Sequence, residues 1–208
     1  MALERKSVYL LTAIGAIFVV LTWLLPFFLS PETTVAWMTS EDSFIENLSF
    51  FFFFGAAVVF FICFLQSPTG NNFLFIHTRR NYIYLLLALV FVFGAGEEIG
   101  WGQRVFGWAT PDELAAINEQ GETTIHNLPI FNSTNIASLF QMNRLFLMFW
   151  FVLAVAIPVA AKLSARIRLW LIHVGMPIVP LELGVVLMLG YGMSKVYGFM
   201  DRFDVDDL

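Results

Sequence analysis

Long apolar runs separated by polar segments form the main pattern of this chain. Five runs approach or exceed the roughly 20 residues that an α-helix needs to cross the hydrocarbon core of a bilayer. They lie at residues 8–29, 47–66, 82–103, 144–162 and 169–194. The longest polar connection is residues 104–143. The pattern predicts an all-α integral membrane protein, a single transmembrane domain over residues 1–208 with about five transmembrane helices.

Composition agrees with this class and limits the kinds of binding partner that the protein can have. The chain has 208 residues, of which 59% are hydrophobic and 13% are charged, and its mean hydropathy is +0.77. A soluble domain of this size could not bury so much apolar surface. The formal net charge is −5, and there is no basic stripe. The lipid bilayer is therefore the expected partner, and nucleic acid is excluded.

Positive charge predicts the orientation, because lysine and arginine favour the cytoplasmic side. The N-terminus and the connections on its side contain most of them: Arg5, Lys6, Arg79, Arg80, Lys162, Arg166 and Arg168. This predicts an N-terminus inside, a C-terminus outside and an external loop at 104–143. Arg144, Lys195 and Arg202 fall on the outside in this arrangement. His77, Arg79 and Arg80 are expected to meet anionic lipid headgroups on the inner side.

The external loop contains a helix signature, "TPDELAAINEQG" at residues 110–121. Thr110 is a natural N-cap, Pro111 suits the first turn, and Glu113 would complete a capping box. Gly121 suits the end of the helix. These residues predict a short surface helix within the loop.

The third apolar run ends in the polar segment "GAGEEIGWGQR", residues 94–104. At 1.5 Å per residue, Glu97 lies about 22 Å along this helix from its start, near the external edge of the bilayer core. Helical spacing would place Glu97, Trp101 and Arg104 on one face. Gly96 and Gly100 form a GxxxG pair, which predicts close approach of a neighbouring helix.

Two interpretations of this segment stay open. Glu97 and Glu98 can end a helix at the headgroup level, where Trp101 and Trp108 are interfacial residues and Arg104 pairs with lipid phosphate. Alternatively, the acids and Arg104 face inward and form a polar site. The clustering of charge with glycine favours the polar site.

A second anomaly is Glu182, which lies in the middle of the fifth apolar run. A glutamate at that depth is expected to face the bundle interior. Pro177 and Pro180 precede it, and they predict a kinked or broken helix. We expect Glu182 to approach Glu97 or Glu98. The alternative is a protonated carboxyl that is hydrogen-bonded to a neighbouring helix.

Glu122 and His126 are four residues apart in "ETTIHN". If this segment is helical, both side chains lie on one face, a spacing that metal sites use. Together with Glu98 and Glu182 they would form a carboxylate-rich set, which suits Mg, Mn, Fe or Zn rather than copper. These four residues are the candidate ligands of a divalent metal. A solvated loop histidine is the alternative.

The segment "EEIGWGQRVFGWATP" followed by "GETTIHN" resembles a motif pair, EExxWGQR…ETxxHN, of uncharacterised bacterial multi-pass membrane proteins. The resemblance covers about residues 96–128, with a weaker match at "VPLELGVVLMLGYG". That group has no established activity, so it implies no residue roles. It implies a bacterial inner-membrane location, and a third span, external loop and last span that act as one unit.

These observations predict a small membrane protein with a polar Glu/Arg/His site at the outer leaflet. As an enzyme or binder of a lipid-like or anionic substrate, it would use Glu97 or Glu98 as a general base or metal ligand. Arg104 would hold an anionic group, and His126 would bind metal or shuttle protons. The rival is an accessory subunit of a larger membrane complex, without catalysis, in which the cluster is structural. A proton or cation path through Glu182 ranks below both.

Overall fold

A computed structural model describes most of the chain and defines its class. The described residues are 5–24, 27–29, 33, 44–67, 71–73, 76–118, 121–132 and 141–204. They are mostly helical, with one small hairpin and several turns and irregular connections. Three helices are long and apolar enough to cross a membrane: Lys6–Leu24, Asn47–Gln66 and Arg144–Leu163. The predicted helical class with membrane-length segments is confirmed to this extent, and the count of five spans stays a prediction.

The helices are α1 (Arg5–Leu24), α2 (Phe44–Gln66), α3 (Tyr82–Glu98), α4 (Gln103–Phe106), α5 (Asp112–Ala115), α6 (Pro129–Asn132), α7 (Met142–Phe151), α8 (Ile157–Leu163), α9 (Ala165–His173) and α10 (Leu181–Asp204). A 3-10 turn, Gly100–Gly102, lies between α3 and α4, and a π-helical segment, Val152–Ala156, joins α7 to α8. Strands β1 (Asn71–Phe73) and β2 (Ile76–Thr78) pair antiparallel between α2 and α3.

The described residues form two compact units. The first is drawn from residues 1–34, 149–168 and 178–208, and the second from residues 35–148 and 169–177. Whether the whole chain acts as one transmembrane domain stays a prediction.

In the first unit, α1 packs against α10 through glycines. A Cβ atom placed on Gly15 would lie 3.2 Å from Val186 Cγ1, and one on Gly190 would lie 3.1 Å from Val19 Cγ2. Both contacts have the same order along the chain, so the two helices run parallel. Small residues at such contacts let helix backbones approach closely, which suits association inside lipid.

In the second unit, α2 and α3 form an antiparallel pair. Phe53 lies against Gly94, where a Cβ would meet the phenyl ring at 3.4 Å, and the ring centroids of Phe64 and Tyr82 lie 5.5 Å apart. The pair buries aliphatic side chains and one phenyl ring: Ala57, Ile83, Leu87, Ala88, Phe91 and Ala95. This apolar helix pair supports the site described below.

Arg80 closes the carboxyl end of α2. Its Nη1 donates to the carbonyl oxygens of Phe64, at 3.4 Å, and of Leu65, and its guanidinium carbon lies 5.6 Å from the Phe64 ring centroid. The last carbonyls of a helix have no partner within the helix, so a cation there is favourable. Arg80, which was expected at lipid headgroups, therefore bonds the protein itself.

The fifth predicted span is broken. Helix α9 ends at His173, residues 174–180 are not helical, and α10 begins at Leu181. Gly175, with φ +75°, ends α9, and the Met176 N–H donates to the Leu171 carbonyl at 2.8 Å, as in a glycine-terminated helix. Pro177 and Pro180 prevent the helix from resuming earlier. The predicted break is confirmed.

The break changes the position of Glu182. The residue lies in the first turn of α10 and its side chain is exposed, so it does not lie in the middle of a helix. It belongs to the first unit, whereas Glu97 and Glu98 belong to the second. The expected approach of Glu182 to these two acids stays a prediction.

Replacing Gly175 with alanine should destabilise the second unit. The added Cβ would lie 2.3 Å from Asn81 Nδ2, which donates to the Gly175 carbonyl at 2.6 Å, and φ is positive. We expect the free energy of unfolding to fall by about 2–3 kcal/mol, because the added methyl group overpacks the site and strains the backbone. Thermal unfolding in detergent measures it. The control is Gly121→Ala, because Gly121 has φ +69° and open space around it. Equal losses in the two variants would contradict the clash.

The predicted surface helix of the loop is a single turn. Helix α5 spans Asp112–Ala115, and its N-cap residue is Pro111, without a side-chain cap. The predicted capping by Thr110 is wrong: its Oγ1 is buried and has no partner among the described residues. Gly121 lies in a turn, where its backbone N–H donates to the Asn118 carbonyl oxygen at 3.0 Å. The polar residues after α5 instead bond to each other and to the end of α3.

Candidate functional site

The site begins where α3 reverses direction. The helix ends at Glu98, and three consecutive residues have positive φ: Gly100 (+54°), Trp101 (+53°) and Gly102 (+88°). Glycine adopts this region readily, whereas tryptophan rarely does. The predicted helical face of Glu97, Trp101 and Arg104 is therefore wrong. The backbone of Arg104 lies in α4, and its side chain lies outside the described part of the chain.

The reversal folds the Trp101 ring back onto α3. A Cβ atom on Gly96 would lie 2.9 Å from Trp101 Cε3, so only glycine leaves room for the indole there. The ring also makes an edge contact with Phe93, at 5.7 Å between centroids. The predicted use of Gly96 and Gly100 as a GxxxG helix contact is wrong. Gly96 accommodates the indole, and Gly100 allows the turn.

Glu97 is the centre of the hydrogen bonds at this turn. Its Oε1 accepts from Trp101 Nε1. Its Oε2 accepts from the backbone N–H of Ile125 at 2.9 Å, the backbone N–H of His126 at 2.8 Å and His126 Nδ1 at 2.9 Å. The Glu97 side chain is 10% exposed and that of His126 is 40% exposed. An ionised carboxylate has no hydrogen of its own and can only accept hydrogen bonds. Four donors converge on this group, so the arrangement suits the ionised form.

A second contact holds the loop to the turn. Gln103 Oε1 accepts from the Thr123 backbone N–H at 2.9 Å. Thr123 Oγ1 lies 2.6 Å from the Gly100 carbonyl and 2.8 Å from Gln103 Oε1. Its single hydroxyl hydrogen can serve only one of these acceptors at a time. The two motif segments "EEIGWGQR" and "GETTIHN" thus bond directly to one another.

Buried polar residues fix the shape of the loop itself. Asn118 Nδ2 donates to the Thr124 carbonyl at 2.7 Å, and Asn118 Oδ1 accepts from the Glu122 N–H at 3.2 Å. Asn127 Nδ2 donates to Thr124 Oγ1 at 2.9 Å, and Thr124 is 1% exposed. The loop is not helical, so the predicted Glu122–His126 helical pair is wrong. Sequence reasoning missed these amides, although asparagine and threonine favour such local bonds.

A cavity of about 180 Å³ lies beside the Glu97–His126 pair. Its described lining residues are Phe53, Phe93, Gly94, Glu97, Glu98, His126, Met142 and Phe146. The walls are apolar and largely aromatic, and the polar groups are the two acids and the imidazole. A mostly apolar concavity with few polar groups is the usual form of a small-molecule site.

The structure unites three of the predicted site residues, since Glu97, Glu98 and His126 line one cavity. Glu122 lies in the same loop, although it is not among the described lining residues. Within the described ranges, no three His, Cys, Asp or Glu side chains are grouped so that they could hold a metal ion. The candidate metal set stays a prediction.

In fold and site, the chain is a helical protein with membrane-length helices and a Glu–His pair at a helix end. No protein-family model, curated protein or solved structure matches it.

Trp101→Phe should weaken the turn without abolishing the fold. The variant keeps an aromatic ring over Gly96 and loses the Nε1 donor to Glu97. A hydrogen bond to a charged group contributes about 1.5–3 kcal/mol, so we expect a loss of stability at the lower end of that range. Thermal unfolding measures it, with Trp170→Phe at an exposed position as the control. A variant as stable as the control would show that the bond contributes nothing.

Proposed function

We propose that the protein binds a lipid-like molecule at the outer leaflet and acts on it through the Glu97–His126 pair. The observation that supports this is the imidazole held by a fixed carboxylate at the edge of an apolar cavity. Such a pair is used wherever a histidine must present one ring nitrogen in a defined orientation. The apolar walls suit the hydrocarbon part of a lipid-like ligand.

The roles within the site follow from the hydrogen bonds. Because Glu97 accepts four donors, it acts as the positioning residue, and the general base expected at Glu97 moves to His126. Nδ1 carries a hydrogen towards Glu97, so in the neutral ring Nε2 is the acceptor. None of the described residues bonds Nε2, which leaves it for a substrate proton or for a divalent metal ion. Glu98 supplies a second acid in the cavity.

A comparison of variants in lipid nanodiscs tests this function. The substitutions are His126→Gln, Glu98→Gln and, as an exposed control on α9, His173→Gln. We expect His126→Gln to lose the Nδ1 bond to Glu97, with a fall in stability no larger than that of Trp101→Phe, and to lose co-purifying lipid by about tenfold, as for one good hydrogen bond. Mass spectrometry of the bound lipid measures this. Retention of the same lipid by His126→Gln would refute the proposal.

The accessory-subunit function is the second candidate, and one observation favours it. Three of the four donors to Glu97 come from the loop, so the carboxylate also fastens the loop to α3. In that function the His126 imidazole contributes one of these donors, and Glu97, which accepts all of them, is the residue that cannot be replaced. Purification in mild detergent from the native membrane would then yield a larger complex with other subunits, which loses the chain when Glu97 is replaced.

We also propose five spans in a bacterial inner membrane, with the N-terminus inside and the C-terminus outside. The lysine and arginine distribution supports this, and so does the parallel packing of α1 and α10, since odd-numbered spans share a direction. In a Cys63→Ser background, Glu113→Cys should react with an impermeant thiol reagent from outside, and Ser164→Cys should be protected. The reverse pattern would exclude this orientation.

A further inference from the structure

We propose that α9 lies in the plane of the membrane surface and binds anionic phospholipids there. Its apolar row, Ala165, Leu169 and Ile172, enters the boundary between headgroups and acyl chains. The flanking residues Arg166 and Arg168 hold the phosphate groups of the lipids. This surface uses none of the described lining residues of the cavity, so the inference goes beyond the proposed function and does not depend on it.

The position of α9 in the chain puts its start at a membrane surface. Only Ser164 separates it from the candidate span Arg144–Leu163. Ser164 has an extended backbone, with φ −134° and ψ 113°, and its Oγ accepts from the Ile167 N–H at 3.3 Å, so a new helix begins there. The nine residues of α9 are about 13–14 Å long, less than half of the roughly 30 Å hydrocarbon core, so α9 cannot cross the bilayer.

The exposed side of α9 contains the apolar row. Ala165, Leu169 and Ile172 follow one another at helical spacing, which places them on one face. All three are exposed, Leu169 to 65% and Ile172 to 57%, whereas Leu171 is 5% exposed. At about 100° per residue, the members of the row lie roughly 100–160° around the helix from Leu171. The row therefore points away from the buried side, and apolar side chains in that position gain free energy by contact with lipid instead of water.

Arginines flank the apolar row on both sides. Arg166 and Arg168 are exposed, and they lie about 100° and 60° around the helix from Ala165, in opposite directions. Lys162 is exposed in the last turn of α8, and the sequence has no Asp or Glu from residue 123 to residue 181, so this stretch is positively charged. A guanidinium offers a phosphate two parallel N–H groups, and its apolar stem can lie along the hydrocarbon boundary. An apolar row between basic residues is the pattern of a helix on an anionic membrane surface.

Spin labels at single cysteines test the orientation of α9. In a Cys63→Ser background, Ala165→Cys, Leu169→Cys and Ile172→Cys are labelled one at a time in the whole protein, in nanodiscs of phosphatidylcholine and phosphatidylglycerol. Relaxation by oxygen and by a nickel chelate gives the depth of each label. We expect one depth for all three, about 5–10 Å into the boundary between headgroups and acyl chains.

Two results of the depth measurement would overturn the proposal. A depth that increases by about 10 Å from residue 165 to residue 172 would show that α9 enters the bilayer as the start of a span. Low access of both reagents to the three labels would show that protein covers the row instead of lipid.

Arginine substitutions test the class of lipid. The variants are Arg168→Gln and the double variant Arg166→Gln/Arg168→Gln, since glutamine favours a helix about as well as arginine does. The control is Arg144→Gln, because Arg144 is exposed at the other end of the span that precedes α9. Native mass spectrometry of the whole protein, titrated with phosphatidylglycerol or with phosphatidylcholine, measures the binding of each lipid.

Each basic residue near an anionic leaflet contributes about 1 kcal/mol, which is about fivefold in affinity. We expect Arg168→Gln to weaken the binding of phosphatidylglycerol about fivefold and the double variant to weaken it about 30-fold, with phosphatidylcholine binding unchanged. Arg144→Gln should bind both lipids as the wild type does. If the double variant binds phosphatidylglycerol as the wild type does, or if Arg144→Gln loses as much as Arg168→Gln, α9 is not the lipid site and the inference is wrong.

Discussion

Gly184→Ala will prevent α10 from packing against the π-helical segment. A Cβ atom at this position would lie 1.8 Å from the carbonyl oxygen of Ala154 and 2.8 Å from its carbonyl carbon. These atoms belong to the backbone of Ala154, so no side-chain rotation can relieve the clash, and one of the two segments must move away. We expect a loss of at least about 3 kcal/mol in the free energy of unfolding, or failure to fold.

The same helix supplies two graded controls. A Cβ on Gly190 would meet only the Val19 methyl group, at 3.1 Å, and one on Gly192 meets nothing within 4 Å. Gly190→Ala should cost little, and Gly192→Ala should stabilise the helix by about 0.5–1 kcal/mol, because glycine is a poor helix former. Thermal unfolding of the three variants in one detergent measures the series. An unfolding temperature for Gly184→Ala equal to that of Gly192→Ala would show that α10 does not pack this way.

Glu97→Ala will release the loop of residues 121–128 from the end of α3. The substitution leaves the backbone N–H groups of Ile125 and His126 and the Trp101 indole without their acceptor. A hydrogen bond to a charged group contributes about 1.5–3 kcal/mol, and two of these bonds are part-buried and one is exposed, so the docked state loses about 3 kcal/mol or more. Hydrogen exchange at Ile125 and His126 measures the release directly, and faster exchange should be confined to the loop and the turn.

A graded comparison separates the hydrogen bonds from the loss of charge. Glu97→Gln keeps one acceptor, which can serve the loop donors, and it turns an N–H₂ group towards another donor. Its exchange rates should therefore fall between those of the wild type and Glu97→Ala. Glu113→Ala, at an exposed position of α5, is the control and should leave exchange unchanged. Wild-type exchange in Glu97→Ala would mean that the loop is held elsewhere.

Three of the five apolar runs overlap a candidate span, because a membrane-length helix is a local property of composition. The run at 47–66 coincides with a candidate span, Asn47–Gln66. Two prolines predicted the break before Glu182, since proline interrupts the interior of a helix in any sequence. The residue types at Glu97, Glu98 and His126 were sufficient to select them as site candidates, and all three line one cavity.

The partners of these residues were decided by the tertiary structure alone. Glu97 and His126 are 29 residues apart, and helical spacing instead suggested Glu122 as the partner of His126. Periodicity relates residues within one element, whereas this bond depends on a chain reversal at Trp101. Tryptophan rarely adopts a positive φ, so its backbone propensity could not have predicted this conformation. It is maintained by contacts that exist only after folding, with the glycine at 96, the carboxylate of Glu97 and the loop.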